Sequence, residues 1–170
     1  MAKLVPQNHP ALHSIAEEVT PEEFANGEVK KLIKKMQTAL RAYNAKGYVG
    51  IAIAAPQIGI SKRVFLVEDQ SNDRHEPVPT LVAINPKIIK TAKKKKLLGE
   101  GCLSVPNHYG VVDRYQNVTL RALDENGCEY ERGAGGLLAQ IFQHECDHLD
   151  GTLFVDKAEK VWVKPESELE

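Results

Sequence analysis

Residues 144–148 read His144-Glu145-Cys146-Asp147-His148, and this H-E-x-x-H segment restricts the fold more than any other feature of the chain. Side chains at i and i+4 stack on one face of an α-helix, so both imidazoles can converge on one cation. A chain of this composition carries such a segment by chance about 2 times in 100, which favours a built site. The spacing predicts a helix over about 135–150, with Leu137, Leu138, Ile141, Phe142 and Leu149 as its apolar contacts. Gly151 is placed to end it as a left-handed residue. Gln140, His144, Asp147 and His148 form its polar, metal-side face. Glu145 cannot fully share the direction of the first histidine. It can reach a water held on the metal and take its proton.

A catalytic site of this kind needs a third protein ligand and an open position. Downstream, the third histidine of the longer metzincin pattern would fall where Phe154 stands, and Glu166 and Glu168 lie in a polar tail after Pro165 with no helix to hold them. Upstream, Cys102 in Glu100-Gly101-Cys102-Leu103-Ser104 is the better ligand, because a thiolate binds zinc and ferrous iron well. Cys146 lies inside the motif, but residues two apart on a helix point about 200° apart, so it is expected in the core. Cys128, in a hairpin, is expected to be structural too. Three cysteines without disulfide-like spacing suit a reducing compartment.

The 170 residues, 42% hydrophobic and 26% charged, fit one domain over 1–170 with a polar tail from about 164 to 170. A net charge of -1 gives no bulk attraction to nucleic acid or anionic membrane. There is no apolar run long enough for a transmembrane helix, and Met1 to Pro10 lacks the pattern of a signal peptide, so a cytoplasmic location is expected. Val29, Leu32, Ile33, Met36, Leu40 and Tyr43 recur on one face, predicting an amphipathic helix over 27–45 with Asn26 as its cap. Segments 63–68, 80–85, 87–91, 117–123, 128–132 and 152–155 read as short strands. Asn126-Gly127 marks a hairpin turn in which both residues tolerate positive φ. The lysine run 93–96 reads as a solvated loop or strand end. The element order predicts an α+β fold with antiparallel sheets.

Gly50-Ile51-Ala52-Ile53-Ala54-Ala55-Pro56-Gln57 is apolar and small, and reads by itself as a buried strand or loop. Together with 100–104 and Gln143–Gly151 (QHECDHLDG), it resembles the three signature segments of the peptide deformylase family, in the same order. The similarity extends from about Pro6 to Val155. It implies antiparallel sheets around a central helix that carries the H-E-x-x-H segment. It also implies hydrolysis of the formyl group from the N-terminal formyl-methionine of new polypeptides. By resemblance, Cys102, His144 and His148 hold one divalent metal, ferrous iron in the cell, with zinc, nickel or cobalt able to replace it. Glu145 acts as general base and then returns the proton to the leaving amine. Gln57 and the Leu103 backbone N–H meet the oxygen that becomes negative. Gly50, Ile51, Ala52, Gly101, Leu137, Gln140 and Ile141 fall at substrate-binding positions. Around the ligands, Glu100 is expected to accept from a ligating histidine, and Asp147 to pair with Arg114. The partners implied are formylated nascent chains and, transiently, the ribosome, for a monomer that binds neither nucleic acid nor membrane.

Two positions depart from the family pattern. Ala52 replaces a glycine in the segment that pairs with the substrate backbone, and Gln140 makes a usually apolar methionine pocket more polar. The expectation is retained chemistry with a shifted side-chain preference. The alternatives are a related metal-dependent amidase or peptidase, and a structural or regulatory metal site. The latter needs a fourth protein ligand and no acidic base.

Overall fold

The computed structural model describes residues 3–44, 50–70 and 78–164. Its first elements follow from capping chemistry. Thr20 and Glu23 form a reciprocal capping box, and Pro21 opens the short helix α1 (Pro21–Ala25). The longer helix α2 (Glu28–Asn44) follows, and the Asn26 side chain accepts a hydrogen bond from Glu28 N (2.9 Å). Val29, Leu32, Ile33, Met36 and Leu40 of α2 are buried, as their spacing requires. Residue 45, the expected end of this helix, lies outside the described residues.

Strands β1 (Ala52–Ala54), β2 (Val64–Val67), β3 (Leu81–Thr91), β6 (Asn117–Leu123) and β7 (Glu129–Gly135) form a five-stranded sheet in the order β1-β2-β3-β6-β7. Strands β4 (Lys95–Cys102), β5 (Val105–Tyr115) and β8 (Lys160–Val163) form a second sheet, ordered β4-β5-β8. All strand pairs are antiparallel. The helix α3 (Gly136–Leu149) contacts β1, β3, β6 and β7 of the first sheet and β5 of the second, and carries the whole 144–148 segment.

The first sheet is covered on both faces. Ala54, Phe65, Val67 and Leu120 pack toward Ile141, Phe142 and Leu149 of α3. Ile53, Val64, Leu66 and Ile84 pack toward α2. Burial on both sides explains why all four residues of β2 are apolar rather than alternating. A third apolar cluster, with Leu12, Val105, Val112, Leu153 and Phe154, lies under the second sheet.

Four sequence expectations change. Segments 80–85 and 87–91 are one strand, β3. Asn85 takes a positive φ of 50° there, and its side chain bonds both Val19 N (2.8 Å) and Val19 O (2.9 Å). The pairing register shifts across this point, so Asn-Pro bends the strand without ending it. Residues 152–155 are not a strand. Leu153 and Phe154 are buried, and a short helix α4 (Phe154–Lys157) starts at Phe154 with Asp156 accepting from Leu153 N (2.8 Å). In the β6–β7 turn only Gly127 has positive φ (81°). Asp124 Oδ1 accepts from Asn126 N and Cys128 N, so Asn126 needs no left-handed conformation. Cys128, expected to be structural, is exposed. Strand β8, with all four residues exposed, has no counterpart in the sequence reading. The lysine run does end in a strand: β4 begins at Lys95, which is exposed.

Candidate metal and catalytic centre

A two-residue turn, Leu103-Ser104, joins β4 to β5 and sets Cys102 at the end of its strand. The end of α3 is fixed just as tightly. Gly151 adopts φ 72°, its N–H donates to His148 O (3.2 Å), and Thr152 N donates to Asp147 O (2.9 Å). Between these anchors Cys102 Sγ lies 3.1 Å from His148 Nε2. One donor atom from each of Cys102, His144 and His148 falls within 4.8 Å of the others. The His144 and His148 rings meet edge to face, with centroids 4.9 Å apart.

Each of these orientations has a physical cause. His144 Nδ1 lies 3.0 Å from Glu100 Oε2, which leaves Nε2 for the centre. Glu100 is gripped by Arg114, with Nε to Oε1 at 2.7 Å and Nη2 to Oε2 at 2.9 Å. The third arm of Arg114, Nη1, reaches Asp147 Oδ2 at 2.6 Å, and Lys157 Nζ holds the other Asp147 oxygen at 2.5 Å. Burial alone would push the Glu100 carboxyl up, but the hydrogen bonds from Arg114 and His144 outweigh it and hold it at about 2. Burial would likewise raise the Cys102 thiol. The two histidines instead hold it well below its ordinary value. Burial opposes a charge on His144, yet Cys102 and Glu100 hold that ring well above its ordinary pKa. The centre therefore favours a thiolate with positive charge beside it, which suits a soft or borderline divalent cation.

Glu145 is buried, and burial pushes its carboxyl up despite the neighbouring histidines. Glu145 Oε2 and His148 Nδ1 are buried without a hydrogen-bond partner among the described residues. A carboxylate oxygen left unpaired beside three metal-type donors fits a site that receives a metal and a water. The residues present thus fit a metal centre.

Gln57 sits not in an open loop but in a 3₁₀ turn (Ala55–Ile58) directly after β1. Its Oε1 accepts from Ala54 N (2.8 Å), and its Nε2 donates to Ser104 Oγ (3.1 Å) and toward Cys102 Sγ (3.6 Å). The amide is buried and fixed with its N–H side toward the centre. Ser104 was not singled out from the sequence, although it stands in the quoted 100–104 segment. Its N–H also points to Cys102 Sγ (3.4 Å). Gln143 and Asn44 were missed as well. Gln143 ties α3 to both backbone groups of Tyr115, and Asn44 brackets Gly50 through its N–H (2.6 Å) and carbonyl (2.9 Å).

A cavity of about 400 Å³ opens beside these groups. Gly50, Ile51, Ala52 and Gln57 form one side, and Glu100, Gly101, Cys102 and Leu103 another. Leu137, Gln140 and Ile141 project from α3 next to His144 and Glu145. Arg114, Asp147 and His148 stand behind this wall and do not line it. Cys146 is buried away from the centre, its thiol pushed up to about 12 by burial.

The family model described as polypeptide deformylase matches residues 1–163. The chain is 39% identical over 170 residues to peptide deformylase 1A, chloroplastic, of Solanum lycopersicum, covering 92% of this chain and 59% of that protein. It is 40% identical to peptide deformylase of Carboxydothermus hydrogenoformans, covering 94% of each. The structure is similar to class I type b peptide deformylase from Acinetobacter baumannii bound to Met-Ala-Ser. That match has a TM-score of 0.81 and 34% identity, over 91% of this chain and 96% of that one.

Proposed function

Because the chain belongs to the polypeptide deformylase family, we propose that it is a metal-dependent hydrolase. Its reaction removes the N-formyl group from the N-terminal formyl-methionine of newly made polypeptides. The observation that carries this reading is the meeting of Cys102, His144 and His148 donor atoms within 4.8 Å beside a buried carboxylate, on the wall of one cavity. These three residues would hold one divalent ion. When bound, it supplies Lewis-acid polarisation of the formyl carbonyl and acidifies the attacking water.

The chain's own groups do the rest. Glu145 takes a proton from the attacking water as the new C–O bond forms at the formyl carbon. It then delivers that proton to the amine nitrogen as the C–N bond breaks, leaving formate and a free N-terminus. Burial suits Glu145 to both roles, because a raised carboxyl pKa brings it closer to neutral pH. The Gln57 amide and the Leu103 backbone N–H donate to the oxygen that gains charge. Gln57 is already held by Ala54 and Ser104, so little reorganisation is needed. Glu100 keeps His144 oriented, Arg114 keeps Glu100 charged, and Asp147 holds Arg114 in place.

The substrate backbone is read along two sheet edges. Gly50, Ile51 and Ala52 lead into β1, an edge strand of the first sheet, and Gly101 lies in β4, an edge strand of the second. Met-Ala-Ser in the Acinetobacter baumannii relative is consistent with a peptide bound at such a site. Ferrous iron is the proposed metal in the cell, with zinc, nickel or cobalt as substitutes, because a thiolate and two imidazoles suit first-row divalent ions. The protein is proposed to act as a cytoplasmic monomer of one domain, meeting nascent chains during transient contact with the ribosome and without direct contact to nucleic acid. No helix among the described residues is long and apolar enough to cross a membrane.

Formate release from formyl-Met-Ala by anaerobically purified protein, with metal content measured in parallel, tests the reading. Glu145→Ala is expected to keep the metal and lose hydrolysis. Equal rates in parent and variant would overturn the proposed mechanism. Activity on an acetylated peptide with none on a formylated one would favour a different amidase.

A further inference from the structure

Asn44, the last residue of α2, does not line the cavity, yet it holds a residue that does. Its Oδ1 accepts from Gly50 N at 2.6 Å, and its Nδ2 donates to Gly50 O at 2.9 Å. A backbone N–H only donates and a carbonyl only accepts, so the orientation of the amide is fixed. Gly50 is buried and tightly packed. A Cβ there would stand 2.8 Å from Leu40 Cδ1 and 3.0 Å from Leu103 Cδ2. Gly50 and Leu103 belong to different sides of the cavity. One residue on, Ile51 O accepts from Glu68 N at 2.8 Å. In an antiparallel ladder the next residue, Ala52, then turns its N–H and C=O away from β2, toward the free edge of β1.

We infer that Asn44 is a positioning residue that sets the spacing of the slot in which the substrate backbone is gripped. The inference rests on the deformylase reading and adds the group that keeps the two reading edges in place. The Asn44 amide has the donor and acceptor of a peptide group, and it occupies both backbone groups of Gly50. A substrate strand laid on this edge can therefore pair at Ala52 but not at Gly50. A slip of two residues would carry its formyl group about 7 Å along the edge. The close contact of Gly50 with Leu103 passes the same constraint to the turn between β4 and β5, which carries the Leu103 N–H. Without the amide, two backbone groups of a buried residue lose their partners, and Gly50 shifts to find new ones. The first substrate residue gains little from this spacing, because its formyl group and side chain seat in the cavity itself. The peptide groups that follow depend on it, because their hydrogen bonds need both edges at a fixed separation.

The test is the ratio of kcat/KM for formyl-Met-Ala-Ser to that for formyl-methioninamide, which lacks the following peptide groups. Parent, Asn44→Ala and Val29→Ala are compared, all metal-loaded and checked for folding by circular dichroism and Tm. Val29 is buried in the first turn of the same helix, about 22 Å along it from Asn44. Its truncation loosens α2 without touching Gly50. The parent is expected to prefer the tripeptide. The ratio is expected to fall about five- to tenfold in Asn44→Ala, the size of one net hydrogen bond, and to hold in Val29→Ala. Should Asn44→Ala not fold, Asn44→Asp carries the test with the same expected fall, because its carboxylate sets an acceptor against Gly50 O. An unchanged ratio in the folded Asn44 variant overturns the inference. So does an equal fall in Val29→Ala, which would make the effect one of helix stability, and so does a parent with no preference for the tripeptide. If the parent releases no formate from either substrate, the deformylase reading fails. The ratio is then read from calorimetric Kd values for Met-Ala-Ser and methioninamide, and the same outcomes decide the role of Asn44.

Discussion

Arg114→Met would expose how much of this fold depends on one buried cation. The guanidinium is 4% exposed and grips Glu100, which is 2% exposed, through two hydrogen bonds. Its third arm holds Asp147. Methionine fills much of the same volume but leaves Glu100 charged, buried and held only by His144 and the longer contact from Gln140. A carboxyl lowered from 4.5 to about 2 gains about 3 kcal/mol in its charged form, at roughly 1.4 kcal/mol per tenfold. Breaking one side of a buried ion pair typically costs about 3–5 kcal/mol. His144 also lowers the Glu100 carboxyl and stays in the variant, so a loss at the lower end of that range, about 3 kcal/mol, is expected at pH 7. Asp147 contributes less to that loss, because Lys157 still holds it. Urea unfolding at fixed zinc loading measures the loss, and a fall in Tm of about 6–12 °C should accompany it. The pH dependence follows from the depressed pKa. The stabilisation is complete above about 4.5, and it disappears as pH falls toward about 2. The gap between parent and variant should therefore shrink across that window. Adding Glu100→Gln should recover part of the loss, because it removes the stranded charge. A loss under about 1 kcal/mol at pH 7, or no recovery in the double variant, would refute the reasoning.

Other outcomes follow from single contacts. Ser104→Ala removes the acceptor that orients Gln57 Nε2, so kcat is expected to fall roughly tenfold with little change in KM; steady-state kinetics decide this, and an unchanged kcat would count against the positioning of Gln57. Gly151→Ala puts a Cβ 2.7 Å from Ser14 N at a φ of 72°. It should destabilise the chain by about 1–3 kcal/mol in the same urea assay, while a neutral result would mean that Ser14 can move. Thiol labelling of the metal-loaded protein should modify Cys128 quickly, because it is exposed. Cys146 should stay unmodified until unfolding, because it is buried with its thiol pushed up to about 12; mass spectrometry of the labelled peptides reads both.

The histidine pair on α3 was more legible than the strands around it. H-E-x-x-H on a helix is a local arrangement, so spacing alone places His144 and His148 on one face. Cys102 could be chosen because the alternatives failed on local grounds: Cys146 points away, and the tail has no support. The strands were read less well. Asn85-Pro86 looks like a break between two strands, but Val19 satisfies the Asn85 amide from far along the chain and keeps β3 continuous. Leu153 and Phe154 looked like strand residues, because short apolar runs carry no period that separates strand from helix. Gln57 looked like a loop residue. It is buried, and its amide donates to Ser104, 47 positions away.

From sequence alone came the two histidines on one helix face with Glu145 beside them, and the two helices whose apolar spacing requires a core. Those properties depend on neighbours within a few residues, and such neighbours are adjacent in any fold that keeps the helix. Only tertiary structure could set the amide of Gln57 toward Cys102, join Arg114 to Glu100 and Asp147, and turn the Gln140 amide against β4. Each of these contacts joins residues more than ten positions apart. Such hydrogen bonds exist only once the β4–β5 hairpin has formed and has packed against the turn after β1 and against α3, and no local pattern encodes the orientations they impose.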